Sequence, residues 1–206
     1  MSILETEYQK IKCDYSDDYV LSDLCEIVKD RGSSANLSCG NYYSTENMLP
    51  NKAGVSPAAS LPSDGKATVC KKGDVLISNI RPYFKKIHYC SELSGCSADV
   101  LCFRSKQIVN SPYLFSILHS DEFFDYVVAG SKGTKMPRGD KEQIMDYPIP
   151  IPSEKELQSF NSIGNNILST VSDNAVAIKQ LAKLRDYILP KLMSGEIDVS
   201  TLEIPN

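Results

Sequence analysis

The sequence is short of the side chains on which most catalytic and metal chemistry depends. Its 206 residues include only two histidines, His88 and His119. The seven cysteines, at positions 13, 25, 39, 70, 90, 96 and 102, are odd in number, and no two are spaced C-x-x-C or near a histidine pair. This argues against a disulfide framework or a zinc site and for small buried thiols in a reducing compartment. No apolar run approaches the ~20 residues of a membrane-spanning helix. The first residues, MSILETEYQK, lack the basic start, apolar stretch and small-residue cleavage site of a secretory signal. A cytoplasmic protein with no membrane partner is expected.

The short motifs of nucleotide and cofactor chemistry are incomplete as well. NIRPYF (79–84) has the outline of the Asn-Pro-Pro-Tyr motif of amino-methyltransferases, but with an extra residue and one proline fewer, and no glycine-rich cofactor loop follows a strand. GSKGTK is too short for a phosphate-binding P-loop. Asp64-Gly65-Lys66 and Asp140-Lys141 resemble the end of a nuclease motif without its upstream carboxylates, and there is no serine elbow. The chain is therefore expected to be non-catalytic, with no cofactor or metal of its own.

What is present is enough apolar sequence for a core, with 42% hydrophobic and 23% charged residues, and an uneven charge distribution. The formal net charge is -4, yet residues 52–141 carry 13 Lys+Arg against 8 Asp+Glu. The flanks are acidic, with 4 against 9 over residues 1–51 and 5 against 9 over residues 142–206. A basic middle between acidic ends suits a local polyanion-binding face, because phosphate binding depends on local Lys/Arg clustering.

The pattern of the chain divides at about residue 150. YVLSDLCEIVKD (19–30) reads as a short strand or edge element, and the Pro/Gly/Ser-rich stretch after NYYSTENMLP (41–50) reads as a long loop. TVC, GDVLISNI (73–80), KIHYC (86–90) and ADVLCFRS (98–105) are β-rich runs separated by turn residues. Ser111-Pro112 opens a helix whose apolar stripe runs through Tyr113, Leu114, Ile117, Leu118, Phe124, Val127 and Val128. The loop GSKGTKMPRGDK (130–141) is rich in glycine and base, and DYPIPIP (146–152) reads as an extended linker.

Ser153-Glu154-Lys155-Glu156 is a capping box that starts a long helix, which Pro190 should disturb and Gly195 end. Phe160, Ile167, Asn174, Leu181 and Ile188 recur every seven residues, with Ile163, Val171, Ile178, Leu184 and Leu192 on the same side. Such a seam calls for a partner helix, and Asn174 among its apolar positions is a device for fixing register. The alternative is that the helix folds back on its own globular part. The expected architecture is α+β, with a small mixed or antiparallel β-rich unit and packed helices at residues 1–150. One long C-terminal helix and tail follow at 151–206, pairing as an antiparallel coiled coil.

The order KKGDVLISNIRPYFKK, SADVLCFRS, SPYLFSILHSDEFFDYVVAGSKGT, YPIPIPSEKELQ and LRDYILPKLMSGEI resembles the specificity subunit of type I restriction-modification systems over about Leu21 to Ile197. The resemblance implies a target recognition domain that reads one half of a split DNA sequence, and a spacer helix. It also implies modification subunits that carry the S-adenosylmethionine chemistry and a restriction subunit that carries cleavage. Members usually hold two recognition domains and two helices; this sequence has one of each, which implies a homodimer and a bipartite, palindromic target.

Candidate phosphate contacts are Lys71, Lys72, Arg81, Lys85 and Lys86, with Lys132, Lys135 and Arg138 in the glycine-rich loop. Candidate base readers are Tyr42, Tyr43, Ser44, Thr45, Asn47 and Asn79, and Arg81 or Arg138 could grip guanine in bidentate fashion. Two other readings remain open. One is a fragment whose partner is another specificity chain; the other is an oligomerising scaffold that binds protein rather than DNA.

Overall fold

The run Val75–Ser78 is buried along its whole length and lies inside one of the sheets, between two neighbouring strands. A computed structural model describes residues 2–12, 19–106 and 111–197; Cys13 and the tail 198–206 lie outside the described residues. In chain order the elements are α1 (Ser2–Lys12), β1 (Tyr19–Val20), α2 (Leu21–Leu24), β2 (Cys25–Ile27), β3 (Arg31–Ser33), β4 (Tyr42–Tyr43), β5 (Lys66–Cys70), β6 (Val75–Ser78), β7 (Ile87–Tyr89), β8 (Ser94–Cys96) and β9 (Val100–Ser105). They are followed by α3 (Ser111–His119), α4 (Asp121–Ala129), α5 (Lys141–Met145), β10 (Pro148–Ile149) and α6 (Glu154–Met193). The fold is α+β, as the sequence predicts.

One four-stranded sheet has the order β2-β9-β6-β7, antiparallel throughout. The second has the order β3-β5-β8-β4, with β4 and β8 parallel and the other pairs antiparallel. Because side chains alternate along a strand, β6 and β9 divide their apolar residues between two faces. Leu76, Val100 and Cys102 join Val28, Tyr43, Met48, Cys70, Cys90 and Cys96 in one buried cluster. Val75, Ile77, Leu101 and Phe103 point the other way, on the side where α3 packs against β6 and β9. The cysteines thus serve as small apolar core residues, and the six described ones are free thiols. Burial pushes the Cys25 thiol up to about 12, with Lys106 opposing the shift.

Asp74 ties the two ends of this region together. It is almost fully buried, and Arg104 donates to it through Nε at 2.9 Å and Nη2 at 2.6 Å. The Lys71 amide donates to the same carboxylate at 2.7 Å. Its hydrogen bonds to Asp74 hold the Arg104 guanidinium above its usual range. The turn before it needs Gly73 at φ +93, where an added Cβ would lie 2.5 Å from Ser111 Oγ.

The structure departs from the sequence reading at several helices and joins. The single helix expected after Ser111 is two: Ser120 interrupts it and caps α4 by accepting from the Phe123 amide at 3.2 Å. The N-terminal segment forms α1, whose Leu4 and Tyr8 are buried, with Tyr8 edge-on to Tyr113 at 5.8 Å. The segment 146–152 is extended but docked: β10 pairs antiparallel with β1, and the Tyr113 hydroxyl donates to the Pro150 carbonyl at 2.7 Å.

The chain divides into two compact units, Met1–Ile167 and Leu168–Asn206, with α6 continuous across the division. The first turns of α6 belong to the first unit. There Phe160 is buried edge-on to Tyr113 at 5.5 Å, and Gly164 lies so close to Pro112 that a Cβ would meet it at 2.6 Å. Phe160 is therefore spent on the chain's own core and is not presented at a seam. At the start of the helix Glu156 accepts from the Ser153 amide at 3.2 Å, as a capping box requires, but the Ser153 hydroxyl turns to the same carboxylate. Helical geometry continues through Pro190 to Met193 and ends at Gly195 (φ +74), where the Glu196 amide returns to the Lys191 carbonyl at 3.0 Å.

Candidate nucleic-acid interface

Two cationic segments far apart in sequence meet beyond the end of β6. The Arg81 amide donates to the Pro137 carbonyl at 2.8 Å, and the Gly139 amide donates to the Asn79 carbonyl at 3.2 Å. Ile80 bridges Arg138, which also forms a two-way bridge with Lys132 at 2.9 Å in each direction. Asn79, Arg81, Lys132 and Arg138 therefore share one edge of the first unit. Lys85 and Lys86 follow on the 3-10 turn Pro82–Phe84, and Lys135 sits exposed in the 130s loop.

The cations differ in what they have to offer. Lys85 Nζ lies 2.8 Å from Asp121 and 3.6 Å from Asp125, and Lys52 Nζ lies 2.9 Å from Asp121. Lys85, followed by Lys52, holds the Asp121 carboxyl down at about 2. Lys86 reaches inward to the Thr45 carbonyl at 2.5 Å, and burial lowers its pKa. Arg138 pairs with Asp99 at 3.1 Å and Lys132 pairs with Asp140, both on the exposed surface, where such pairs are weak and can exchange for a phosphate. Arg81 and Lys135 are exposed, with no acidic partner among the described residues.

Other predicted contacts lie elsewhere. Lys71 and Lys72 are exposed on the turn before β6, whereas Asn79 and Arg81 follow its far end, so the predicted phosphate set forms two groups. Tyr42 and Tyr43 are 7% and 6% exposed and lie within β4. Asn47 is buried, and its amide nitrogen donates to the carbonyls of Tyr42 and Ser56, both at 2.9 Å. Its carboxamide oxygen accepts from the Ser44 amide at 2.6 Å. The polar, aromatic loop thus uses Tyr42, Tyr43 and Asn47 to build itself, and they do not face solvent. Ser44 and Thr45 are half-buried beside it. Among the described residues, the buried side-chain oxygen of Asn79 has no hydrogen-bond partner.

Beside these cations stand two exposed aromatic residues that were not among the candidates read from the sequence. Tyr83 and Phe84 stand 47% and 37% exposed at the tip of the 3-10 turn, with ring centroids 4.7 Å apart. Their signal was present in the sequence as Pro-Tyr-Phe set between Arg81 and Lys85-Lys86.

In the second unit, most apolar residues of α6 from Val171 onward are uncovered. Val171, Val176, Ile178, Leu181, Leu184, Tyr187, Leu189 and Leu192 are exposed, Ile178 and Leu181 to 67% and 64%. Asn174 is exposed among them, and Ile188 is half-buried. Among the described residues no helix is long and apolar enough to cross a membrane.

No family model matches the chain. It is 32% identical over 96 residues to the type I restriction enzyme MjaIX specificity subunit of Methanocaldococcus jannaschii, covering 42% of this chain and 22% of that one. It is 24% identical over 132 residues to the type I restriction enzyme EcoDI specificity subunit of Escherichia coli, covering 61% and 29%. Among solved structures, it is similar to the type I S subunit of M. genitalium, with a TM-score of 0.59 at 14% identity, covering 85% of this chain and 45% of that one. It is also similar to the HsdS subunit of Thermoanaerobacter tengcongensis, with a TM-score of 0.51 at 15% identity, covering 95% and 51%. A chain from a type I R-M system assembly gives a TM-score of 0.56 at 17% identity, covering 91% and 50%. The fold is that of the specificity subunits of type I restriction systems. The two sequence matches make this chain a relative of those subunits, spanning about half the length of the solved ones.

Proposed function

We propose that this chain is a DNA-reading specificity subunit, itself non-catalytic. In this reading it directs modification subunits, which carry the S-adenosylmethionine chemistry, and a restriction subunit to one split target. The observation that carries the reading is the joining of residues 79–81 to 137–139. It gathers part of the basic excess of the middle of the chain on one edge of a unit whose fold is that of specificity subunits. Arg81, Lys132, Lys135 and Arg138 contact phosphates there, and an arginine of this edge can also read guanine.

The exposed apolar face of α6 supports pairing with a second copy. A helix of 40 residues is about 60 Å long at 1.5 Å per residue, comparable with on the order of 18 base pairs at 3.4 Å each. Two copies related by a twofold axis would present identical readers to the two halves of a palindrome. The seam runs from Val171 onward, through Asn174, Ile178, Leu181 and Leu184.

Binding to duplex DNA measured against salt concentration tests the reading. Log affinity falls linearly with log salt because lysines and arginines that contact phosphates release the counterions condensed on them. The Lys132→Ala/Lys135→Ala double variant should bind every sequence more weakly and flatten the slope by roughly 1 to 2. An unchanged slope would remove both lysines from the phosphate set, and no binding by the unaltered chain would favour a protein-binding scaffold.

A further inference from the structure

The four described non-glycine residues with positive φ all meet at one place. Asn51 (φ 55) and Lys52 (φ 59) donate their amides to the carbonyls of Phe84 at 2.7 Å and Lys85 at 2.9 Å. Arg81 (φ 51) and Lys85 (φ 49) flank the 3-10 turn Pro82–Phe84 on either side. Left-handed backbone is unfavourable for a non-glycine residue. Such strain persists only where surrounding structure imposes it, and it gathers at functional sites.

What the strain holds in place is an aromatic tip. Tyr83 and Phe84 are braced by the 50s loop through Asn51 and Lys52, by the 130s loop through the Arg81 amide, and by α4 through the ion pairs of Lys85 with Asp121 and Asp125. Their rings stay substantially exposed, so the bracing does not bury them in this unit. Exposed Met136 lies in the same 130s loop, next to Pro137. On the α4 side Asp121 and Asp125 take Lys85, and on the other side stand cations: Arg81 adjoins the tip, Lys86 Nζ lies 5.7 Å over the Phe84 ring, and Lys132, Lys135 and Arg138 follow on the neighbouring loop. Exposed rings fixed on a rigid turn among cations fit a ligand that combines phosphate charge with flat apolar faces.

We propose that Tyr83 and Phe84 form an aromatic wedge that enters a groove of duplex DNA and stacks on a base step, while Arg81 and the cations beside it hold the flanking phosphates. The inference rests on the DNA-reading function above and adds to it residues that sense base stacking and not only charge. Side chains that part a base step favour DNA whose stacking is already disturbed, because less unstacking energy is then required.

The test compares the full chain with the Tyr83→Ala/Phe84→Ala double variant on a 30-base-pair duplex and on the same duplex carrying a one-base bulge. Because both rings are exposed, the variant should keep the thermal unfolding of the parent. The wedge requires tighter binding of the parent to the bulged duplex. In the double variant it requires affinity about tenfold or more weaker, an unchanged salt slope and loss of the bulge preference. The sequence has no tryptophan, so Tyr83→Trp supplies a single reporter whose emission should be quenched by the duplex, whereas Tyr19→Trp, remote in sequence, should not respond.

Equal binding by parent and double variant, or an unquenched Trp at position 83, overturns the wedge and leaves DNA reading standing. Equal DNA binding combined with lost co-purification of a modification subunit overturns it in favour of protein docking. Absence of duplex binding by the parent removes both the wedge and the function on which it rests.

Discussion

Asp74 is nearly sealed from water, and a carboxylate in that position is tolerable only because its oxygens are occupied by Arg104, the Lys71 amide and the Cys102 thiol. Removing one partner of a buried ion pair leaves the other uncompensated. Asp74→Ala should therefore lower stability by about 3 kcal/mol, read as a reduced denaturant midpoint with little change in slope. Loss of less than about 1 kcal/mol would mean that Arg104 finds water instead. The thiols allow a second check. Cys25, Cys70, Cys90, Cys96 and Cys102 are buried, and Cys39 is partly exposed. In the native protein a thiol reagent should modify Cys39 and spare those five, and all should react after denaturation. Their role as core residues was legible from an odd count with no paired spacing. The aromatic loop was less legible: tyrosine and asparagine beside serine and threonine look alike whether they read a ligand or hold a loop, and only the bonds of Asn47 to Tyr42 and Ser56 separate the two.

At the scale of elements, the readings that held were those written in local periodicity. GDVLISNI is the central strand β6, and Ser153-Glu156 opens a helix 40 residues long. The errors came from long-range pairing, which local sequence does not encode. Nothing in DYPIPIP announces β1 as its partner, and nothing in the heptad spacing shows that Phe160 is taken by Tyr113. A seven-residue repeat says that one face is apolar; what covers that face depends on the rest of the fold. From Val171 onward the face is bare. If α6 pairs as proposed, Leu181→Glu should reduce the mass in sedimentation equilibrium to that of a single chain while leaving the thermal unfolding of the first unit unchanged. A variant that kept the mass of the unaltered protein would exclude Leu181 from the seam.

For the whole molecule, the overall acidity would argue against a polyanion partner, but the average conceals an uneven distribution of charge. The basic excess lies between residues 52 and 141, and the bonds of Asn79 and Arg81 to the 130s loop concentrate part of it on one edge. The exposed apolar face of α6 among the described residues, paired with a second copy as proposed, predicts a symmetric target. Methylome sequencing of cells expressing this chain with its modification subunit measures that directly. The account predicts methylation at a single split palindrome, two identical half-sites in inverted orientation around an unread spacer. Methylation at an asymmetric bipartite site would mean that a different specificity chain supplies the second half, and an unchanged methylome would contradict the specificity role itself.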